Sequence, residues 1–170
     1  GEYGYEGFFH NDVTEMIAAM LQLGDSKDIK YNMVLCLERD WDPTVTYKVP
    51  WIWALYLLKT NDLSFVSDHF DLLKTRAHGI HDSRTGPGGI MAETTIDTWG
   101  SWTMGNWNAL LGLLSYRYIC DRLGNTAESE WATAEYNSLL AACNAKMYET
   151  ISKNGLDYIP ADILEPNTRN

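Results

Sequence analysis

Between Gly86 and Trp107 the chain sets two carboxylates, Glu93 and Asp97, among three tryptophans, Trp99, Trp102 and Trp107, with no Lys or Arg in the interval. Indole faces suit the C–H faces of sugar rings, whose hydroxyls reach nearby polar groups. Glycoside hydrolysis needs two carboxyl groups about the scissile bond: an apolar setting keeps one protonated as the acid, and the other activates water or attacks. Asp97, beside Ile96, Trp99 and Trp102, fits the acid; Glu93 and Asp12 are the other candidate carboxyl groups. Trp51, Trp53 and Phe9 add aromatic surface. His10, Asn11, Asp40, Asp42, Asn106 and Asn108 add polar partners.

Each residue also has a plainer role. Asp12 suits a helix N-cap, Glu93 a loop anchored by backbone hydrogen bonds, Asp97 a turn, and Trp51 and Trp53 a core. His10 reads as a hydrogen-bonded wall residue. His69, His78 and His81 are too dispersed for a metal site. No phosphate loop, nucleophile elbow or dinucleotide fingerprint occurs.

The elements that must position these residues read as helices. After an aromatic loop (Tyr3 to Asn11), Val13, Met16, Ile17, Met20 and Leu21 fall on one helical face. Gly24 ends that helix, and Asp25 or Ser26 can cap a second one running to about Glu38. An extended linker from Arg39 leads to Pro50, which suits the first turn of a third, nearly all-apolar helix. Asn61-Asp62 breaks it. A fourth helix carries Leu63, Val66, Phe70 and Leu73, and Gly79 with Gly86-Pro87-Gly88-Gly89 stops helical structure. A fifth is expected from about Asn106 to Leu123. Asn125 and Glu128 form a capping box for a sixth, whose stripe is Tyr136, Leu139, Leu140, Cys143 and Met147. No strand is expected, and the tail after Ile151 reads as irregular.

Three times an apolar helix ends in a tight turn (Gly24-Asp25, Asn61-Asp62, Gly124-Asn125) and a more amphipathic helix follows. The expected fold is all-α, a helical-hairpin array of one segment over residues 1–170. Helices one, three and five then run parallel, and the long loops gather at their N-terminal end. Six of the seven tryptophans lie in those loops or in the first turns after them, Trp131 being the exception. Core tryptophans have no reason to segregate to one end, so the segregation favours a binding face.

Composition bounds the partners. The net charge of −10 and pI of about 4.7 argue against nucleic acid and against an anionic membrane surface. No apolar run approaches the length of a membrane-spanning helix. Cys36, Cys120 and Cys143 lack metal spacing, read as buried helical thiols, and leave the compartment unread. The chain opens Gly-Glu-Tyr-Gly, without Met or a signal peptide, and the expectation is a processed chain or a piece of a longer one.

With the hairpin rhythm, the stretches Tyr47-Lys-Val-Pro-Trp-Ile-Trp-Ala-Leu-Tyr-Leu-Leu-Lys-Thr-Asn-Asp-Leu-Ser-Phe-Val66 and Asn106-Trp-Asn-Ala-Leu-Leu-Gly-Leu, the latter leading to Arg122-Leu-Gly124, resemble the six-hairpin, (α/α)6-toroid glycosidases. These include trehalases, glucoamylases, processing α-glucosidases and glycogen-debranching glucosidases. Glu93-Thr-Thr-Ile-Asp97 followed by Trp102 is similar to the trehalase-type segment Glu-Ser-Gly-x-Asp with a downstream Trp. The resemblance implies that Asp97 is the general acid. Thr94-Thr95 stands where Ser-Gly is usual and Ser101 where an Arg precedes the Trp, so trehalase specificity is not implied. Aligned instead to the glucoamylase pattern Asp-x-Trp-Glu-Glu, Gly100 and Ser101 take the glutamate positions.

The resemblance implies an inverting glycoside hydrolase that needs no cofactor, acting on an oligosaccharide or glycoside. It supplies about three of the six hairpins, so the partner expected is the remainder of the same toroid. The catalytic base is expected outside this chain, Glu165 being the candidate within it. The other readings are a non-hydrolytic toroid (a sugar epimerase or a polysaccharide lyase, either with His10 and Tyr47 to move protons, or a carbohydrate-binding helical module) and a superhelical protein-binding repeat.

Overall fold

The computed structural model describes residues 10–38, 47–96 and 98–166, without the side chains of 10, 11, 95, 96 and 98. The described part is mostly helical. Its helices are α1 (His10–Gln22), α2 (Lys30–Glu38), α3 (Val49–Thr60), α4 (Leu63–Asp68), α5 (Phe70–Asp82), α6 (Thr103–Leu123) and α7 (Thr126–Asn154).

The turns end the helices for local reasons. Asn61 caps α3 in the left-handed region at φ 57°, a conformation Asn tolerates. Asp62 then accepts from the Phe65 amide and starts α4. The same carboxylate accepts from Lys30 and from the Tyr56 hydroxyl, and with the Phe65 amide these hold its pKa down at about 2. Gly124, at φ 73°, ends α6. Asn125 accepts from the Glu128 amide, but the Glu128 side chain does not reach back to complete a capping box. It is engaged elsewhere, as described below.

Several expectations are corrected. The expected fourth helix is two helices, broken at His69, whose φ of −114° is not helical. Gly79 does not end α5, which continues to Asp82; a glycine lowers helix stability by only about 1 kcal/mol and tertiary packing outweighs that. α6 begins at Thr103, three residues before the expected start. The expected absence of strands is also wrong. Thr94–Ile96 (β1) and Thr98–Gly100 (β2) pair antiparallel, with Thr95 opposite Trp99. Runs of three residues are too short for an alternating pattern to announce them.

Cross-helix contacts fix the sense of each pair. Lys48, capping α3, and Lys59 near its end bond Glu15 and Gln22 of α1, so α1 and α3 run parallel. Tyr47 lies against Gly112, and Arg122 donates to Asn61, so α3 and α6 run parallel too. α7 returns antiparallel to α6: Asn106 meets Cys143, Tyr116 meets Trp131 and Asp121 meets Ser129. Arg76 of α5 donates to the Leu37 carbonyl at the end of α2. Parallel α1, α3 and α6 therefore lie side by side, backed by α2, α5 and α7.

The core has two parts. One joins α1 to α5 with the C-terminal half of α6 and includes Ile17, Met33, Ile52, Leu57 and Tyr116. The other joins the first half of α6 to α7, where Leu139 and Cys143 are buried and Tyr136, Leu140 and Met147 pack on them, as the stripe predicts. Met16 departs from the face expected for α1 and is exposed. The three thiols are buried and free, and burial pushes Cys36 up to about 12.

Two carboxylates one heptad apart on α7 lock it to α5. Glu128 accepts from Lys74 at 2.7 Å, His78 at 2.9 Å and the Tyr116 hydroxyl at 3.0 Å, while His78 stacks on Trp131. Glu135 pairs with His81 and Arg84. Burial opposes the ionisation of Glu128, but the bonds from Lys74, His78 and Tyr116 outweigh it and hold its pKa down at about 2. A depressed carboxyl pKa stabilises the fold above the unfolded value and loses that stabilisation as pH falls through the folded one. Between pH 5 and 3 the melting temperature of Glu128→Gln should therefore fall less than that of wild type, by roughly 5 °C. Parallel melting curves for the two proteins over that range would contradict this role.

Candidate functional site at the N-terminal end of the apolar helices

The Gly86–Trp107 stretch is built rather than loose. Gly88 and Gly89 take φ of 74° and 83° around a tight 3-10 turn (Pro87–Gly89), and Arg84 donates to the Gly89 carbonyl while bonding Glu135 and Ser138 of α7. The chain then passes the first turn of α6, where the Met91 amide donates to Asn106 Oδ1. The β1–β2 hairpin follows and delivers the chain to Trp102. The Trp102 indole N–H donates back to the Thr94 carbonyl at 3.1 Å and ties the hairpin to the helix start.

A second segment closes this end. The long α7 carries the chain back beside the start of α6. There Thr103 donates its amide to the Ala161 carbonyl and its hydroxyl to the Pro160 carbonyl, both at 2.7 Å. The Ile163 amide donates to the Ser101 carbonyl, and Thr150 donates to the Ile163 carbonyl. Asp162, 5% exposed, accepts from three backbone amides, those of Ser101, Leu164 and Glu165. The tail after Ile151, expected to be irregular, is thus helical to Asn154 and then stitched to the base of the hairpin. Nothing in the run Pro160-Ala-Asp162 distinguishes this anchor from an ordinary turn Asp, so the sequence reading missed it.

The candidate residues divide by exposure. Trp53 is fully buried, stacked on Phe65 at 5.1 Å between centroids. Trp102 is buried at the hairpin base. Asn106 is buried, its amide donating to the Trp102 carbonyl and its oxygen accepting from Met91 and the Cys143 thiol. As placed here, these three are buried in the scaffold, which for Trp53 is the core role the sequence also allows. Trp51 is half-buried in a groove between α3 and α6, lined also by Leu55, Leu58, Leu114 and Tyr118.

Trp99, 71% exposed, and Trp107, 48% exposed, remain open platforms. Glu93 is exposed where the chain enters β1, and Asp12 is exposed in the first turn of α1. Asp12 and Trp107 lie near one level. Asp12 is one turn before Glu15, which bonds Lys48 at the start of α3, and Trp107 is five residues before Gly112, which abuts Tyr47. At 1.5 Å of rise per residue, both stand roughly 4 to 8 Å beyond the first turn of α3. Lys48, with a side chain only 6% exposed, adds a cation beneath them that the sequence reading did not single out.

Asp97 and Phe9 lie outside the described residues, as do Asp40, Trp41 and Asp42 and the side chains of His10 and Asn11. Among the described residues, no group of three or more His, Cys, Asp or Glu could hold a metal ion, and no helix is long and apolar enough to cross a membrane. No protein-family model, curated protein or solved structure matches the chain.

Proposed function

We propose that this chain is part of an (α/α)6-toroid domain that hydrolyses glycosidic bonds with inversion, with Asp97 as the general acid. The observation that carries the reading is the placement of exposed Trp99 and Trp107 with Glu93 and Asp12 at the N-terminal end of parallel apolar helices. Aromatic platforms beside carboxyl groups are the chemistry that a neutral sugar needs. The acidic net charge disfavours a phosphate-bearing ligand.

The apolar groove supports the toroid. Trp51, Leu55 and Leu58 recur along α3 at helical spacing, opposite Leu114 and Tyr118 of α6, and Leu58 and Leu114 are exposed. Further hairpins of the same ring would cover that face. Of the histidines an epimerase or lyase could use, the three whose side chains are described are engaged elsewhere. His78 and His81 bond Glu128 and Glu135, and His69 bonds the Phe65 carbonyl.

The test is an assay of the full-length protein, with the rest of the ring, on a panel of aryl glycosides and disaccharides, with the first-formed anomer followed by NMR. Wild type should cleave one glycoside class and release the inverted anomer. Trp107→Ala should raise KM about tenfold, the worth of one ring contact, at nearly unchanged kcat. A protein that binds oligosaccharides but cleaves none would turn the reading to a carbohydrate-binding module. A retained anomer would exclude the inverting mechanism.

A further inference from the structure

We propose that Tyr158 and Ile159 form a second wall of this sugar site, with Tyr158 stacking on a ring of the substrate other than the one held by Trp107. The proposal rests on the carbohydrate reading above and extends it to the tail after α7, where the sequence offers only Glu165 as a candidate.

The argument starts from an imbalance in burial. Immediately after these two residues, Pro160 is buried and Ile163 is fully buried. The segment is held by Thr103, Ser101 and Thr150, and by the Asp162 carboxylate on three backbone amides. Yet Tyr158 is 52% exposed and Ile159 is 55% exposed. A connection that only closed the end of α7 would have no use for a large aromatic and a β-branched residue in water. Here a rigid, buried anchor presents them.

Their place follows from that anchor. Tyr158 is two residues from Pro160, hence within about 7 Å of it along the chain. Pro160 is bonded to Thr103, and Trp107 stands one turn further along the same face of α6. The exposed Tyr and the exposed Trp therefore both stand near the first turn of α6, and two separate ring faces suit a short oligosaccharide better than a single ring. Tyrosine combines a ring face with a hydroxyl that can bond sugar hydroxyls. Loss of such a contact away from the reacting bond should weaken binding without slowing chemistry.

The experiment compares wild type, Tyr158→Ala, Tyr158→Phe and Trp107→Ala on malto-, cello-, xylo- and manno-oligosaccharides from the disaccharide to the hexasaccharide. Tyr158→Ala should raise KM about five- to tenfold on the longer members, with kcat nearly unchanged and the disaccharide little affected. Tyr158→Phe should keep most of the affinity. Both variants should keep the wild-type circular dichroism spectrum, because the side chain is half exposed. If Tyr158→Ala matches wild type at every length while Trp107→Ala loses affinity, the second wall is wrong and the carbohydrate reading stands. If wild type neither binds nor cleaves any of the four series, both fail together.

Discussion

Gly112→Ala is expected to destabilise the protein by about 3 kcal/mol or more, the upper range for overpacking a close-packed interior. A Cβ at this position would lie 1.9 Å from the Tyr47 carbonyl oxygen and 3.0 Å from Ile80 Cδ1. The first obstacle is backbone, which cannot rotate aside as a side chain can. Relief requires α6 to move away from the start of α3. Both sides of that contact are buried, with Tyr47 and Val49 on one and Leu113 on the other. Gly79 in α5 is the internal control, because a Cβ there meets nothing within 4 Å. Gly79→Ala should gain up to about 1 kcal/mol from helix propensity alone. Urea unfolding of the two variants gives the answer, and equal midpoints would show that the α3–α6 contact is looser than described.

That contact also bears on the candidate site. It sets how far α6 projects beyond α3, and so the height at which Trp107 and the hairpin stand. A residue chosen for the absence of a side chain thus determines where the aromatic platforms lie.

The helices were legible in the sequence where a stop signal coincided with a periodic run. Gly24, Asn61-Asp62 and Gly124-Asn125 each end a helix whose apolar residues recur at helical spacing, and the structure breaks there for the expected reason. His69 was not legible as a break, because His carries no backbone restriction and the stripe Leu63, Val66, Phe70 and Leu73 passes through it unchanged. The hairpin was hidden by its length, and the anchored tail by its composition. Asp162 satisfies amides from two segments distant in sequence, and no local pattern encodes such a pairing.

For the site, residue type announced the tryptophans but not their roles. Trp99, Trp102 and Trp107 look equivalent in the sequence, and Trp53 reads as core or as binding surface. Burial separates two scaffold residues from two exposed platforms, and burial depends on which helices pack together. Asn106 shows the same limit: an amide at a helix start reads as a ligand, and only the structure shows its side chain bonded inside the protein.

The largest effect on activity is expected at Asp97, whose proposed role comes from the resemblance of Glu93-Thr-Thr-Ile-Asp97 and not from geometry. A general acid contributes about 10²- to 10⁴-fold by protonating the departing oxygen. Asp97→Asn keeps the shape of the side chain and removes the proton. Loss of kcat should therefore depend on the leaving group. Disaccharides and alkyl glycosides need protonation and should lose activity by about 10³-fold, whereas a dinitrophenyl glycoside, whose phenolate departs unaided, should lose much less. A turn-forming Asp gives another pattern, in which all substrates suffer alike or none does. Glu93→Gln and Asp12→Asn on the same substrates show whether either residue takes part. The central measurement is the ratio of kcat for Asp97→Asn to that for wild type on a disaccharide and on a dinitrophenyl glycoside. A deep loss on the first with a shallow loss on the second is the expected result. Full activity of Asp97→Asn on the disaccharide would contradict the assignment of Asp97 as the acid.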